Sequence, residues 1–177
     1  MPANVEIKAR IPSAEALLPR ARALADEDEH PQLIHQDDTF FQVPHGRLKL
    51  RVFADGAGEL IHYHRPDAQG PKLSDYLITA VADPDGLRDV LERACGVIGR
   101  VVKRRVLVLI GQTRVHLDQV EGLGDFLELE VVLREGQTEA EGTRIAQELL
   151  AALEVPPEAL LGGAYLDLLS EDATPGP

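Results

Sequence analysis

Charged and apolar residues alternate with period two in six separate stretches of this chain, and that alternation constrains the fold more than any other feature. Successive side chains of a strand point to opposite faces, so a period of two gives one charged face and one apolar face. In Asn4-Val-Glu-Ile-Lys-Ala-Arg10 the polar positions 4, 6, 8 and 10 share a face, with Val5, Ile7 and Ala9 opposite. Arg47, Lys49 and Arg51 stand against Leu48, Leu50 and Val52, and Glu59, Ile61, Tyr63 and Arg65 follow at the same spacing. Lys103 aligns with Arg105, Arg114 with His116 and Asp118, and Glu128 with Glu130 against Leu127, Leu129 and Val131.

Turn residues divide these stretches into about seven or eight strands, with helices between runs of hairpins. Strands are expected over 4–10, 36–43, 47–53, 59–65, 74–81, 101–110, 114–120 and 126–133, the turns falling at Pro44-His45-Gly46, at 55–58, near Gly111-Gln112 and at Gly122-Leu123-Gly124. Helices are expected over 13–25, with Ser13 as N-cap and Pro19 kinking or shortening it, over 84–95, over 138–153, and as a short segment within 156–169. Residues 66–72 read as a Pro/Gly loop, and 171–177 as a disordered tail. The class is α+β with a large antiparallel sheet, in one domain over 1–170.

Two arrangements satisfy the alternation. In an open sheet the charged face lies in water and the apolar face packs on helices. A sheet of this length can instead close on itself, with its charged face inward. The kind of charge favours closure. Arg and Lys dominate several strands of a chain that has 18 Lys+Arg against 30 Asp+Glu and a net charge of −12. Cations concentrated in an acidic protein describe a site for a polyanion, where Arg and Lys hold phosphate by charge-assisted, often bidentate bonds. Glu6, Glu128 and Glu130, with Asp118, then balance the lumen and supply the hard oxygen ligands that Mg²⁺ or Mn²⁺ prefers. Such a pairing suits metal-assisted phosphoryl or nucleotidyl chemistry.

Other classes fit less well. The net negative charge provides no attraction for nucleic acid, and the 4% aromatic content with no Trp offers few stacking platforms. No apolar run is long enough to span a membrane and the N-terminus lacks a signal-peptide core, so a cytoplasmic protein without membrane or nucleic-acid partners is expected. The single cysteine, Cys95, reads as a structural thiol at a helix end. The chain has no Walker A motif, no G-x-G-x-x-G after its first strand, no G-x-S-x-G and no H-E-x-x-H. The His residues are scattered: His62 and His64 flank Tyr63, and only His116 falls on a charged face that also carries Arg and Asp.

The strand Asn4-Val-Glu6-Ile-Lys8, the element Asp38-Thr-Phe-Phe41, Gly46-Arg-Leu-Lys-Leu-Arg51, Glu59-Leu-Ile-His-Tyr-His-Arg65, Val102-Lys-Arg-Arg105 and the block Arg114-Val-His-Leu-Asp118 through Glu128-Leu-Glu130 occur in the order and with the residue types of a known pattern. Together they resemble the CYTH superfamily, the triphosphate tunnel metalloenzymes, closest to its class IV adenylyl cyclase-like and thiamine triphosphatase-like branch. The resemblance implies an eight-stranded antiparallel β-barrel with flanking helices, a triphosphate substrate (ATP, thiamine triphosphate or inorganic triphosphate) and Mg²⁺ or Mn²⁺ as cofactor. A homodimer is compatible with it.

Carried over residue by residue, it implies that Lys8, Lys49, Arg51, Arg65, Lys103, Arg105 and Arg114 bind the phosphates. Glu6, Glu128 and Glu130 hold metal, and Asp118 acts as a metal or water-orienting partner; Lys8, Arg51, Arg114 and Asp118 are the implied catalytic residues. Arg47 and Arg104 fit the motifs less well, and parity points Arg104 out of the lumen. The family's opening Glu-x-Glu-x-Lys reads here with Asn4 in the first position. Asn offers a carbonyl oxygen but no charge, so a metal held there is bound less strongly. Both outcomes stay open: cyclisation of ATP with loss of pyrophosphate, or hydrolysis of a triphosphate. A non-catalytic triphosphate- or polyphosphate-binding module is the third reading.

Overall fold

The computed structural model describes residues 3–64, 72–162 and 164–172. Among these residues nine strands form one antiparallel sheet: β1 Asn4–Arg10, β2 Gln32–Phe41, β3 Arg47–Phe53, β4 Gly58–His64, β5 Lys72–Val81, β6 Val97–Ile110, β7 Thr113–Val120, β8 Gly124–Val132 and the two-residue β9 Leu160–Leu161. Four helices among the described residues accompany them: α1 Ala14–Leu24, α2 Pro84–Cys95, α3 Glu139–Ala152 and α4 Tyr165–Asp172. The strand order is β5-β4-β3-β2-β6-β7-β8-β1-β9, and β1 pairs with β5 as well, so eight strands run in a ring. The seam is short. β1 meets β5 through Asn4↔Ser74, Val5↔Leu73 and Glu6↔Lys72, and further along the same edge β9 takes over at Lys8↔Leu161 and Ala9↔Leu160. The expected barrel of eight strands with flanking helices is the fold observed.

Closure is matched by where the apolar face goes. Val5, Ile7, Ala9, Val115, Leu117, Leu127, Leu129 and Val131 point outward from the ring and are buried under Ala21 of α1 and Ala146 and Leu150 of α3. The alternative of an open sheet with its charged face in water is excluded by the β1–β5 pairing, which encloses the face opposite the helices. A second cluster of Phe40, Val101, Val120, Leu123 and Phe126 fills one end of the ring, where Tyr165 and Leu166 of α4 complete it. That end is the floor of the lumen.

Local chemistry explains the helix starts. The Ser13 hydroxyl accepts from Ala16 N at 3.1 Å, and α1 continues through Pro19 to Leu24 rather than stopping there. Asp83 caps α2, and Thr138 with Glu141 forms a capping box on α3. Gly46, at φ 66°, makes the β2–β3 turn; a side chain there would meet Tyr63 O at 2.8 Å and the His62 ring at 2.7 Å, so only glycine fits.

Several boundaries differ from the sequence expectation. β2 starts at Gln32 and ends at Phe41, and β6 starts at Val97, because these two strands pair from Gln32↔Leu107 to Phe41↔Val97 and each prolongs the other. The segment 156–169 is a 3-10 turn at Pro157–Ala159, then β9, then α4, since consecutive prolines and glycines interrupt any single helix. α4 reaches Asp172, two residues into the expected tail, and the remainder of that tail lies outside the described residues, as does most of the 66–72 loop. No helix among the described residues is long and apolar enough to cross a membrane.

Candidate active site

Each strand can be followed from floor to mouth by its inward positions. Phe40, Asp38, Gln36 and Ile34 succeed one another on β2, and Val101, Lys103, Arg105 and Leu107 on β6. β3 presents Lys49, Arg51 and Phe53, β7 presents Asp118, His116 and Arg114, β8 Phe126, Glu128 and Glu130, and β1 Lys8, Glu6 and Asn4. The register therefore stacks aromatic and apolar groups at the floor and charged groups at mid-height. They enclose a cavity of about 380 Å³. Among the described residues its wall carries Lys8, Lys49, Arg51, Lys103, Arg105 and Arg114 together with Glu6, Asp38, Glu59, Glu128 and Glu130.

The charges are sorted by side. On β2 and β3, Arg51 donates through Nε and Nη2 to the two oxygens of Asp38 at 2.8 Å each, and Lys49 Nζ donates to Asp38 Oδ2 at 3.1 Å. Burial alone would raise the Asp38 carboxyl, but Lys49 and Arg51 hold it well below the usual carboxylate range. Burial, reinforced by Arg51, pushes Lys49 down to about 8 despite Asp38. Lys103 is lowered in the same way, by burial and by Arg105. In this half of the lumen a single aspartate serves several cations.

The opposite wall is acidic. Glu6 on β1 stands directly across from Glu130 on β8, and Lys8 directly across from Glu128. Burial would raise Glu128, but Lys8, 3.8 Å away, and Arg105, 3.2 Å away, keep it well below its ordinary value. Glu130 moves the other way: burial and the charges of Glu128 and Glu6 raise it, against the pull of Arg114 at 3.6 Å. Carboxylates opposed across a ladder repel unless a cation lies between them. Glu6, Glu128 and Glu130 thus fit a hard divalent cation in donor type and in charge, although no three Asp, Glu, His or Cys side chains among the described residues are already gathered at ligand spacing. His116 stays neutral, pushed down to about 3 by burial and by Arg105.

Not every expected residue faces the lumen. Asp118 is fully buried behind it, where Arg105 Nε and Nη2 grip its two oxygens at 2.7 Å and the Tyr165 hydroxyl donates to Oδ2 at 2.7 Å. Arg105 and Tyr165 together engage both of its oxygens, so Asp118 anchors Arg105. Asn4 is also fully buried, and its amide donates to the Glu130 carboxylate. Arg65 lies outside the described residues. Arg47 turns away to Asp167 of α4 at 2.8 Å, and Arg104 is exposed on the outer face, as parity requires.

Two residues that the sequence reading left without a role sit at the centre of the site. Asp38 was hidden because Asp37 precedes it: Asp37 pairs outside the ring with Arg100, and only the register shows that its neighbour points in. Tyr165 comes from a helix distant in sequence, and no periodicity marks it.

The CYTH domain family matches residues 2–165. Several solved structures share the fold. The PH1012 protein of Pyrococcus horikoshii OT3 is 24% identical, with 94% of this chain and 99% of that chain covered and a TM-score of 0.83. A candidate adenylate cyclase from Vibrio parahaemolyticus is 20% identical over 94% and 97%, with a TM-score of 0.77. A candidate adenylyl cyclase from Hippeastrum, reported with a dominant triphosphatase activity, is 16% identical over 97% and 96%, with a TM-score of 0.69. None of the curated proteins compared matches the chain. With the family match spanning nearly the whole sequence and the charged faces of the sheet turned into one lumen, the chain belongs to the CYTH domain family.

Proposed function

We propose that this chain is a divalent-metal-dependent enzyme that acts on a triphosphate, and within that class on ATP, in the manner of a class IV adenylyl cyclase. The observation that carries the reading is the juxtaposition of Lys49, Arg51, Lys103 and Arg105 on one side of a cavity of about 380 Å³ with Glu6, Glu128 and Glu130 on the other. An anion site beside a cation site is what a metal-bound triphosphate requires. Phosphate oxygens accept from the Arg and Lys side chains, which hold the chain in line for displacement. Glu6, Glu128 and Glu130 would hold Mg²⁺ or Mn²⁺, which when bound would neutralise developing charge and activate the attacking oxygen. Lys8, Arg51 and Arg114 carry the charge stabilisation, and Asp118 orients Arg105.

The mouth supports an organic triphosphate as substrate. Ile34, Phe53 and Leu107 line its rim on β2, β3 and β6, with Ile61 and Ile78 beyond, while Arg114, Glu130 and Glu6 line the other side. An apolar half-rim has nothing to bind in an inorganic triphosphate but suits a base or another ring. The second reading is hydrolysis, supported by the triphosphatase activity reported for the Hippeastrum protein of the same fold.

Incubation with ATP, thiamine triphosphate and inorganic triphosphate, each with Mg²⁺ or Mn²⁺, separates these readings. Cyclic AMP with pyrophosphate is the expected result. Orthophosphate without cyclic AMP establishes the triphosphatase, and tight binding without any product establishes a binding module.

A further inference from the structure

Beneath the lumen, Tyr165 makes more contacts with the charged groups than a floor residue needs. Lys8 Nζ lies 3.8 Å from the centroid of its ring and Lys103 Nζ 5.0 Å from it. Phe126 packs on the same ring at 4.9 Å between centroids, and the hydroxyl donates to Asp118 Oδ2 at 2.7 Å. Asp118 in turn grips Arg105, whose Nη2 also reaches Glu128 at 3.2 Å, and Glu128 returns to Lys8. Three cations from β1 and β6 are thus tied to one aromatic residue of α4.

We infer that Tyr165 is a positioning residue for triphosphate binding, acting through Lys8, Lys103 and the Asp118–Arg105 pair. The inference rests on the reading of the lumen as a triphosphate site. A buried lysine ammonium seeks an anion: Lys103 feels the charge of Asp118, and Lys8 lies 3.8 Å from Glu128. The Tyr165 hydroxyl and Arg105 fill the Asp118 oxygens, while the ring presents its negative face to both ammonium groups and stops them from sinking into the floor. A ring face attracts a cation without consuming its donors as a carboxylate would. Lys8 and Lys103, which both line the lumen, are thereby held at the height where phosphate oxygens can accept from them. Burial, with Asp118 and Glu128 nearby, raises the phenol well above its ordinary value, so the hydroxyl remains a donor.

The test is calorimetric binding of inorganic triphosphate to the full chain, with and without Mg²⁺, for wild type, Y165L, Y165F and L166A. Leu166 belongs to the same helix and the same apolar cluster but packs toward Gly99, so L166A reports the effect of loosening α4 alone. Y165L is expected to weaken binding about tenfold or more, the size of a desolvated cation–ring contact. Y165F, which keeps the ring, restores most of that affinity, and L166A lowers Tm while binding nearly as wild type does. In the wild type, the ε-methylene protons of Lys8 are expected upfield by ring current in NMR spectra and to remain so with triphosphate bound, a readout that needs no variant to fold. Wild-type affinity in Y165L, equal weakening in L166A, or loss of the upfield shift on binding overturns the inference while the site reading stands. Failure of the wild type to bind triphosphate overturns both.

Discussion

Asp38→Asn removes one negative charge from a point where three cations converge and changes almost nothing else in shape. Asp38 is 1% exposed and holds Arg51 bidentately and Lys49 by one bond, with Lys103 also drawing on its charge. Removing one partner of a buried ion pair costs about 3–5 kcal/mol. Arg51 and Lys49 remain 12% and 14% exposed to the lumen, so water relieves part of the loss. The expected destabilisation is about 3 kcal/mol, the lower end of that range. In a domain of this size it lowers Tm by about 6–12 °C.

Urea or thermal unfolding of the ligand-free protein measures this directly. Asp38 is held below its unfolded value, so the unfolded chain binds more protons between the two, and stability rises with pH across that interval. Its contribution is therefore present above about pH 4 and is lost as pH falls from there. D38N lacks it, so its acid loss should be shallower. Inorganic triphosphate should stabilise D38N more than wild type, because the bound anion replaces the missing carboxylate charge; saturation at a hundredfold Kd contributes about 2.7 kcal/mol in either protein, and the excess reports the tighter Kd. A ligand-free D38N within about 0.5 kcal/mol of wild type, the range of an ordinary surface change, refutes the reasoning. So does a smaller triphosphate effect than in wild type.

Further outcomes follow from the same geometry. Because Lys49 sits near 8, triphosphate affinity should fall as pH rises above about 8, and K49R should flatten that profile. In the ligand-free protein the sign reverses: between about 8 and the unfolded value near 10.4 the unfolded chain binds more protons, so wild-type stability rises with pH there and K49R loses the rise. Asn4→Glu places a carboxylate against Glu130 in a fully buried position, which should cost about 1–3 kcal/mol in EDTA and be recovered with Mn²⁺ by more than wild type gains; an equal Mn²⁺ effect in both proteins puts position 4 outside the site. A methyl group on Gly142 would meet Leu133 at 2.6 Å and Val5 at 2.7 Å, so G142A should lose about 2–3 kcal/mol to overpacking, only partly offset by about 1 kcal/mol of helix propensity. Chemical denaturation showing G142A equal to wild type would mean that α3 rides further from β1 than this.

What could be read in the sequence was whatever repeats locally. The alternation in β1, β3, β7 and β8 assigns each residue to a face without knowledge of its neighbours, and the cap at Ser13 announces a helix start within a few residues. Parity alone puts Lys49 with Arg51, Lys103 with Arg105, and Glu128 with Glu130 on one face of their strands. Asp38 escaped because two adjacent aspartates mask the period in β2, and Tyr165 because an isolated aromatic after a broken Pro/Gly segment has no periodic signal.

Which face turns inward was not a local matter. It depends on the three-residue seam between β1 and β5, residues near opposite ends of the strand order, and on α1 and α3 covering the apolar side. Nor could spacing reveal that Asp118 spends both oxygens on Arg105 and Tyr165, or that Asn4 binds Glu130, since these contacts join residues up to 126 positions apart. The sequence by itself determined the two chemistries of each strand, because side-chain parity is a property of the extended backbone. Tertiary structure decided which charges neutralise one another and which remain for a ligand, because ion pairing inside a closed sheet depends on cross-strand register and burial, and both exist only after the ring has formed.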